Sequence, residues 1–256
     1  MHIITIGTQK GGTGKTATAA ALWTGLNMRG YKALAIDLDP QCNLSDNAGA
    51  ATNGKTIFGA LTGEIRAVDA IQSADGFDII SGSPFLSTAD TAFTETGKEY
   101  RLKEALEPLK KKKYDFCIID TPPSLNVLTK NSLTAADTVI VPAQSDINAI
   151  TGLQKLYFTV DAVRKYFNQG LQVEGVLLTR YNPRTTMSKE ILNLLENSVE
   201  QLGTKLFNAK IRDCVKIAES AARKIPLLKA YPTATAAQDY NAFIDEVLKD
   251  FSFSRA

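Results

Sequence analysis

The residues best suited to do chemistry lie in a glycine-rich segment near the N-terminus, Thr8-Gln9-Lys10-Gly11-Gly12-Thr13-Gly14-Lys15-Thr16. A short apolar run precedes this segment and a helix-like stretch follows it. Glycines let backbone N–H groups turn towards phosphate oxygens, and the positive end of a helix dipole adds to the attraction. In such a loop Lys15 can reach the β- and γ-phosphates, and the Thr16 hydroxyl can ligate Mg²⁺. The residues predicted to bind nucleotide here are Lys10, Gly11, Gly12, Thr13, Gly14, Lys15, Thr16 and Ala17.

Carboxylates follow two other apolar runs at the positions that a magnesium–phosphate site requires. Asp120 ends the run Phe-Cys-Ile-Ile-Asp, about one hundred residues after the loop, and we expect it to hold Mg²⁺ through a water. Asp37 and Asp39 follow the second run at positions i and i+2, so both point to one side of an extended segment. Asp37 could hold the loop or the Lys15 region by hydrogen bonds. Asp39 is the better candidate for chemistry, although it could simply cap the turn before Pro40.

The elements that position these residues alternate along the chain. Apolar runs, most of them continuous, predict strands that are buried on both faces, as in a parallel sheet covered by helices. They occupy residues 2–7, 32–37, 77–81, 114–120, 137–142, 173–179 and 204–209. Helical patterns occupy residues 15–29, 147–168, 186–202 and 235–251. We therefore predict a single α/β domain over residues 1–256, with a doubly wound, mostly parallel sheet flanked by helices.

The composition excludes several other kinds of site. The chain of 256 residues has one histidine, His2, and three widely spaced cysteines, which argues against a Ser-His-Asp triad, a histidine-ligated zinc site and a disulfide framework. Phosphoryl transfer by lysines, backbone amides, carboxylates and Mg²⁺ needs no histidine. The sequence shows no targeting segment and no apolar run of membrane-spanning length, so we expect a cytoplasmic protein with reduced thiols.

The glycine-rich segment also carries a resemblance to a known family. Lys10-Gly11-Gly12-Thr13-Gly14-Lys15-Thr16 matches in full the KGGxGKT signature of the deviant Walker A ATPases, which include ParA/Soj partition ATPases, MinD, nitrogenase iron protein and some amide-forming enzymes. The resemblance implies that ATP and Mg²⁺ bind and that ATP joins two copies in a sandwich homodimer. It also implies that Lys10 crosses to the partner's phosphates, and that Asp39 orients the attacking water and can contact the metal through a water.

Several stretches resemble ParA/Soj in particular. They are Asp-Leu-Asp-Pro-Gln-Cys-Asn-Leu at 37–44, Asp-Thr-Pro-Pro-Ser-Leu at 120–125 and Val-Leu-Leu-Thr-Arg-Tyr-Asn-Pro-Arg-Thr at 176–185. Cys42 stands where glycine is usual, and Arg212-Asp213 stands where partition proteins usually carry Pro-Arg. The resemblance covers almost the whole chain and places adenine near Arg180 and Asn182. Because the chain begins at the first apolar run, we expect no helix-turn-helix extension for operator binding.

The charge of the chain is concentrated in one region. The net charge is +2, but residues 180–229 contain ten basic and five acidic residues. Basic residues on one face can neutralise DNA phosphates without reading bases, although ordinary solvated charge is the alternative interpretation of each residue. The candidates for DNA binding are Arg184, Lys189, Arg212, Lys216, Arg223 and Lys224.

The resemblance and the charge pattern together predict a DNA-segregation ATPase. We expect an ATP-bound homodimer that associates with the nucleoid through non-specific double-stranded DNA, and a ParB-like partner that stimulates slow hydrolysis. The alternative is a MinD-like membrane-associated positioning ATPase, which requires a basic amphipathic C-terminal helix. Residues 239–256 contain four acidic and two basic residues, which favours core packing for the apolar face at 235–251 and no membrane partner. A redox ATPase of the iron-protein kind would need a cysteine soon after Asp120, where there is none, and a metabolic ligase stays open.

Overall fold

A single sheet organises the part of the chain that the computed structural model describes, which is residues 1–112, 114–146 and 149–251. Its strands within these ranges are β1 (His2–Ile6), β2 (Ala33–Asp37), β3 (Ile71–Ala74), β4 (Phe77–Ile80), β5 (Phe116–Asp120), β6 (Thr138–Gln144) and β7 (Gln172–Thr179). Their order across the sheet is β3-β4-β2-β5-β1-β6-β7, and only β3 runs antiparallel to its neighbour. The predicted α/β fold class, with a mostly parallel sheet, is confirmed.

Helices cover both faces of this sheet. They are α1 (Lys15–Met28), α2 (Asn43–Ala48), α3 (Ile57–Thr62), α4 (Ala89–Ala92), α5 (Arg101–Leu106), α6 (Val127–Ala135), α7 (Ala149–Tyr166), α8 (Thr186–Gln201), α9 (Val215–Arg223), α10 (Leu227–Ala230) and α11 (Thr235–Asp250). One core packs α3 and α5–α8 on one face, and a second core packs α1, α2, α10 and α11 on the other. Consecutive strand residues such as Ile3 and Ile4 enter opposite cores, as the alternation of side chains along a strand requires.

Helix α1, which follows the glycine-rich loop, packs closely against the C-terminal helix α11. The apolar face of α11 is buried, and a Cβ added at Gly25 of α1 would lie 2.3 Å from Ile244 Cδ1. Glycine at this position therefore permits the approach of α1 to α11. The prediction that the apolar face at 235–251 serves core packing is confirmed. Within the described ranges, no helix combines the length and the apolar character that a membrane span requires.

Helix α1 ends where the sequence predicted. Gly30 adopts a φ of 82°, its N–H donates to the Asn27 carbonyl, and the Tyr31 N–H donates to the Leu26 carbonyl. These two hydrogen bonds satisfy carbonyls that the last turn leaves free, and the left-handed backbone favours glycine. The helices predicted at 15–29, 186–202 and 235–251 are α1, α8 and α11. The helix predicted at 147–168 is α7, and the first two of those positions lie outside the described residues.

The strand predicted at 204–209 is wrong. Residues 204–209 pair with β7 at a single isolated bridge, between Val176 and Leu206, and form no continuous ladder with it. The N–H groups of Asn208 and Ala209 donate to the Glu246 carboxylate of α11, at 2.9 and 3.1 Å, instead of extending the ladder. The segment is apolar because Phe207 is buried under the sheet, and burial of one aromatic ring does not require a strand.

Strand β3 was missed by the sequence analysis. It pairs with β4 through a two-residue turn in which Asp75 and Gly76 both have positive φ, 51° and 84°. Asp-Gly is a strong hairpin signal for this reason. The mixed polarity of Ile-Gln-Ser-Ala hid the strand, which lies at the half-exposed edge of the sheet.

Candidate nucleotide-binding site

The glycine-rich loop joins β1 directly to α1. Gly12 and Gly14 adopt φ values of 77° and 79°, a backbone region that disfavours other residues. Gly14 precedes the first residue of the helix, and the Thr179 hydroxyl on β7 holds the loop by donating to the Thr13 carbonyl at 2.8 Å. This arrangement points the N-terminus of α1 at the space above the loop, which is the geometry of an anion site.

Lys15 lies at the start of α1 with only 6% of its surface exposed. Burial lowers the pKa of its ammonium group, and the carboxylates of Asp120 and Asp39 partly offset that effect. A buried lysine therefore faces the carboxylates predicted from the sequence. Thr16, the predicted metal ligand of the loop, follows it in the same turn.

The sheet register brings the carboxylates together. Asp37 ends β2 and Asp120 ends β5, and these two residues are direct neighbours across the strands. Asp39 follows β2 and is 5% exposed, whereas Asp37 and Asp120 are fully buried. Because the carboxyl ends of parallel strands share one edge of the sheet, acidic groups far apart in sequence meet beside the loop.

Asp120 has the chemistry of a cation ligand. Among the described residues, neither of its buried carboxylate oxygens accepts a hydrogen bond of regular geometry, although the Thr16 hydroxyl lies close enough to lower the pKa of Asp120. Burial, and then the charge of Asp37, raises the pKa of Asp120 to about 8. A buried carboxylate without well-formed hydrogen bonds is costly, and Mg²⁺ prefers oxygen ligands such as carboxylate and hydroxyl groups. Asp120 and the Thr16 hydroxyl therefore fit the predicted Mg²⁺ site.

Asp37 is used within the protein. Its Oδ1 accepts a hydrogen bond from the Asp39 N–H at 3.1 Å, and its Oδ2 accepts from Ser45. Burial is the largest cause that raises the pKa of Asp37, to about 6. Asp37 therefore holds the segment between β2 and α2 by hydrogen bonds. The Asp39 side chain accepts from the Gln41 N–H at 2.9 Å, so it also caps the turn around Pro40.

A cavity of about 660 Å³ lies beside the loop. Gly12, Gly14, Thr16 and Ala17 form one wall, and Arg180 also lines it. This volume falls within the range of about 300–1,000 Å³ that small-molecule sites occupy. The sequence analysis missed the residues Asn43, Asn47, Asp213 and Cys214, which line the same cavity.

The segment around Arg180 reaches this cavity only in part. Tyr181 is bridged to Arg212, and the Arg180 guanidinium lies 3.6 Å from the Asp213 carboxylate. Asn182 does not line the cavity, because its Oδ1 accepts from the Arg184 N–H at 3.1 Å and closes a local turn. Arg180 therefore lines this cavity and Asn182 does not, and the placement of adenine near these two residues stays a prediction.

Lys10 is engaged within its own chain. Its ammonium group forms an ion pair with the Asp146 carboxylate, in the segment between β6 and α7. About one third of the Lys10 side chain is exposed. The ammonium group is thus paired in the single chain and lies at the edge of the loop.

The comparisons with known proteins agree with the site. An AAA-domain family model matches residues 1–173. The chromosome partitioning protein ParA of Caulobacter vibrioides is 35% identical over 254 residues, which cover 97% of this chain and 94% of that protein. The sporulation initiation inhibitor protein Soj of Bacillus subtilis is 34% identical over 250 residues, covering 96% and 97%. The chain belongs to the ParA/Soj family of P-loop ATPases.

A solved structure extends this likeness to the fold. Cobyrinic acid a,c-diamide synthase from Mycobacterium smegmatis, with bound ATP analog and magnesium, superposes with a TM-score of 0.87. The two sequences are 29% identical, and the match covers 100% of this chain and 97% of that one. Fold alone does not fix the activity, because ATPases of several functions share this architecture.

In this ParA/Soj chain, five of the six candidate DNA-binding residues fall into two groups. Arg184 and Lys189 are exposed at the start of α8. Lys216 and Arg223 on α9 both lie over the Tyr231 ring, at 4.8 and 5.6 Å from its centroid, and Lys224 follows that helix with a φ of 55°.

Arg212 has a different environment from the other candidates. Its guanidinium group donates three hydrogen bonds to the two oxygens of the Asp239 carboxylate of α11, at 2.6, 2.9 and 3.2 Å, and the backbone N–H donates to the same carboxylate at 2.9 Å. These hydrogen bonds raise the pKa of Arg212. A bidentate pair of this kind fixes the segment that lines the cavity, so a structural role accounts for Arg212 without DNA.

Proposed function

We propose that this chain is a Mg²⁺-dependent ATPase that segregates DNA. The observation that carries the proposal is the buried Asp120 carboxylate, which accepts no hydrogen bond of regular geometry among the described residues and lies beside Thr16, Lys15 and the glycine-rich loop. The family of the chain supports ATP as the nucleotide, and the solved diamide synthase binds an ATP analog and magnesium in the same fold.

Each residue of the site has a definite task in this proposal. The backbone N–H groups of the loop and the Lys15 ammonium bind the phosphates, and Thr16 and Asp120 hold Mg²⁺. When bound, Mg²⁺ neutralises charge that develops on the phosphates. The Asp39 carboxylate accepts a hydrogen bond from the attacking water and orients that water towards the γ-phosphate. Catalysis then rests on position and electrostatics, which explains a site without histidine.

We further propose that ATP joins two copies and that Lys10 then contacts the partner's phosphates. In the single chain Lys10 is paired with Asp146, so this contact requires the exchange of one anionic partner for another. The exchange is inexpensive, because a partly exposed ion pair contributes about 0.2–1 kcal/mol. Asp146 would thus compete with dimer formation.

Removing the Asp146 charge is expected to favour the dimer. We expect Asp146→Asn to lower the dimer dissociation constant about 2- to 30-fold in a non-hydrolysable ATP analog, because each of the two chains then gives up no pair worth about 0.2–1 kcal/mol. Sedimentation velocity measures this constant. Asp161→Asn, which removes an exposed carboxylate of α7, is the matched control. A weaker dimer in Asp146→Asn would show that Asp146 supports the closed state instead.

We propose that the dimer binds DNA through the basic residues at the start of α8 and along α9. Arg184 and Lys189 belong to the first group, and Lys216, Arg223 and Lys224 to the second. Two copies double the number of phosphate contacts, and the affinity of such contacts depends steeply on salt. This dependence lets dimerisation act as the switch between DNA-bound and free chains, and the ATP-bound form would associate with the nucleoid.

The experiment that tests this function compares DNA retention in three nucleotide states. We expect ATP with Mg²⁺ to retain non-specific double-stranded DNA, while ADP and nucleotide-free protein retain at least about tenfold less at matched salt. Arg184→Ala should reduce the salt slope by about one per chain, as loss of one phosphate contact predicts. Lys103→Ala on α5 is the control. Equal retention in all three states would exclude the switch.

A ParB-like partner completes the proposed cycle by stimulating hydrolysis and releasing DNA. The MinD-like alternative has less support, because Tyr240, Phe243, Ile244 and Val247 of α11 are buried in the core. A second candidate is amide formation of the kind named for the diamide synthase, which is 29% identical to this chain over 97% of its own length. ATP turnover that responds to cobyrinic acid, and not to DNA or a partner, would support that candidate.

A further inference from the structure

Ser45, on α2, lies between the end of β2 and the turn after β4, close to Asp39, the carboxylate that is proposed to orient water. It is fully buried, and both its N–H and its hydroxyl donate to Asp37 Oδ2, at 2.9 and 2.7 Å. The same hydroxyl oxygen accepts from the Gly82 N–H at 2.9 Å. Gly82 belongs to the turn after β4, thirty-seven residues away from Ser45 in the chain.

The other carboxylate oxygen of Asp37 contacts Asp39, the residue that is proposed to orient the attacking water. Asp37 Oδ1 accepts from the Asp39 N–H at 3.1 Å. One carboxylate therefore ties the Asp39 backbone to Ser45, and Ser45 ties both to Gly82. Each polar atom in this chain of contacts is satisfied, and a fully satisfied buried network holds its members in one arrangement.

The packing at Gly82 adds a steric constraint. A Cβ added there would lie 3.1 Å from Asp37 Cγ and 3.2 Å from the carbonyl oxygens of Asp37 and Asp39. The turn after β4 therefore rests directly on the backbone that carries the Asp39 side chain. Hydrogen bonds on one side and close contact on the other restrict that backbone.

We propose that Ser45 is a positioning residue for ATP hydrolysis: its hydroxyl links the Gly82 N–H to the Asp37 carboxylate and thereby sets the place of Asp39. The inference rests on the proposed function, because it takes Asp39 to be the group that orients water. It adds Ser45 and Gly82, which do not touch the nucleotide cavity, to the residues that determine the rate.

The geometry distinguishes this role from nucleotide binding. Loss of the Ser45 hydroxyl leaves the Gly82 N–H and one Asp37 lone pair without partners, while the glycine-rich loop, Lys15 and Asp120 keep their contacts. The change should thus affect the turnover number and spare nucleotide affinity. Threonine carries the same hydroxyl and should replace serine.

The test measures kcat and KM for ATP in Ser45→Ala, Ser45→Thr and the wild-type chain. We expect kcat to fall about 10- to 100-fold in Ser45→Ala, as a misplaced catalytic group predicts, with KM changed by less than about twofold. Ser45→Thr should recover kcat to within about threefold of wild type. Gly82→Ala should reproduce the loss. Ser132→Ala is the matched control, since Ser132 is a fully buried hydroxyl that bonds Thr129 within α6.

Hydrogen exchange in the nucleotide-free protein tests the same network independently of turnover. Ser45→Ala should speed exchange at the Asp39 and Gly82 amides, and Ser132→Ala should not. Unchanged exchange, an unchanged kcat in folded Ser45→Ala, or an equal loss in Ser132→Ala would overturn the proposal. Absence of turnover in the wild-type chain would contradict the ATPase function alone, and the exchange result would still decide the role of Ser45.

Discussion

Lys15→Ala is expected to abolish ATP turnover. Lys15 is the buried cation at the N-terminus of α1, and the proposed site has it bind the β- and γ-phosphates. Loss of a charge that stabilises the transition state commonly costs about 100- to 1,000-fold in rate, and the loss of phosphate binding adds to it. The rate of phosphate release with saturating Mg²⁺ measures the loss of turnover. Binding of a fluorescent nucleotide measures the loss of phosphate binding.

Two further variants make the Lys15 result specific. Lys103→Ala on α5 removes a lysine away from the loop and should leave turnover unchanged. Lys15→Arg should not restore activity, because a larger planar group cannot take the place of a compact, 6% exposed ammonium. Wild-type turnover in Lys15→Ala would refute the assignment of the loop as the phosphate site.

The site could be predicted from the sequence where neighbouring residues define it. The glycine-rich loop needs only the strand before it, the helix after it and glycines at the positions that adopt positive φ. Asp120 could be predicted because it ends a continuous apolar run, and parallel strands place such ends at one edge. Both inferences depend on local pattern and on a general property of parallel sheets.

Contacts between distant segments could not be predicted in this way. Lys10 and Asp146 are separated by 136 positions, and no local pattern joins them. The link from Ser45 to Gly82 depends on how the turn after β4 packs on β2. The cavity wall formed by Asp213 and Cys214 likewise depends on a bridge between Tyr181 and Arg212. Side-chain pairing of this kind follows from the tertiary arrangement and not from periodicity.

The errors in the predicted strands have a similar physical origin. Phe207 makes residues 204–209 apolar, yet Glu246 of α11 takes the N–H groups that a neighbouring strand would need. At β3 the polar residues Gln72 and Ser73 mask an edge strand, although Asp75-Gly76 marks its turn. A hydrophobic pattern predicts which residues are buried. A buried segment is a strand only where its backbone also forms hydrogen bonds with a neighbouring strand.

Asp120→Asn is expected to change function and stability in opposite directions. Burial, and then the charge of Asp37, raises the pKa of Asp120 from its ordinary 3.8 to about 8 in the folded chain. A carboxyl group whose pKa is raised on folding contributes its full stability below the unfolded value and loses that contribution as pH rises through the folded value. Asparagine resembles the protonated carboxyl group at every pH, so the variant avoids this loss.

In EDTA we therefore expect the free energy of unfolding of Asp120→Asn to approach that of wild type as the pH falls to about 4, where the carboxyl group is largely protonated in the folded chain and partly protonated in the unfolded chain. At pH 9 the variant should be the more stable, by roughly 1–3 kcal/mol for a buried polar group that is poorly hydrogen-bonded. Urea denaturation at the two pH values measures the difference. The other ionisable groups titrate in both proteins, so their effect largely cancels in the comparison. Asp161→Asn, at an exposed carboxylate, should show no such pH dependence.

The same substitution should remove the advantage that Mg²⁺ gives to the wild-type chain. Addition of Mg²⁺ and ADP at pH 8 should raise the unfolding temperature of wild type, because a ligand that binds only the folded state stabilises it, and should raise that of Asp120→Asn much less. Mg²⁺-dependent turnover should fall at least about 100-fold, because the proposed Mg²⁺ site then lacks its carboxylate ligand. A pH-independent gain in stability would show that Asp120 is not a buried, uncompensated carboxylate, and retained turnover would place the metal elsewhere. If Asp120 lowers the folding stability of the chain but is required to bind Mg²⁺, the nucleotide-free variant should be more stable than wild type and should also lack catalysis.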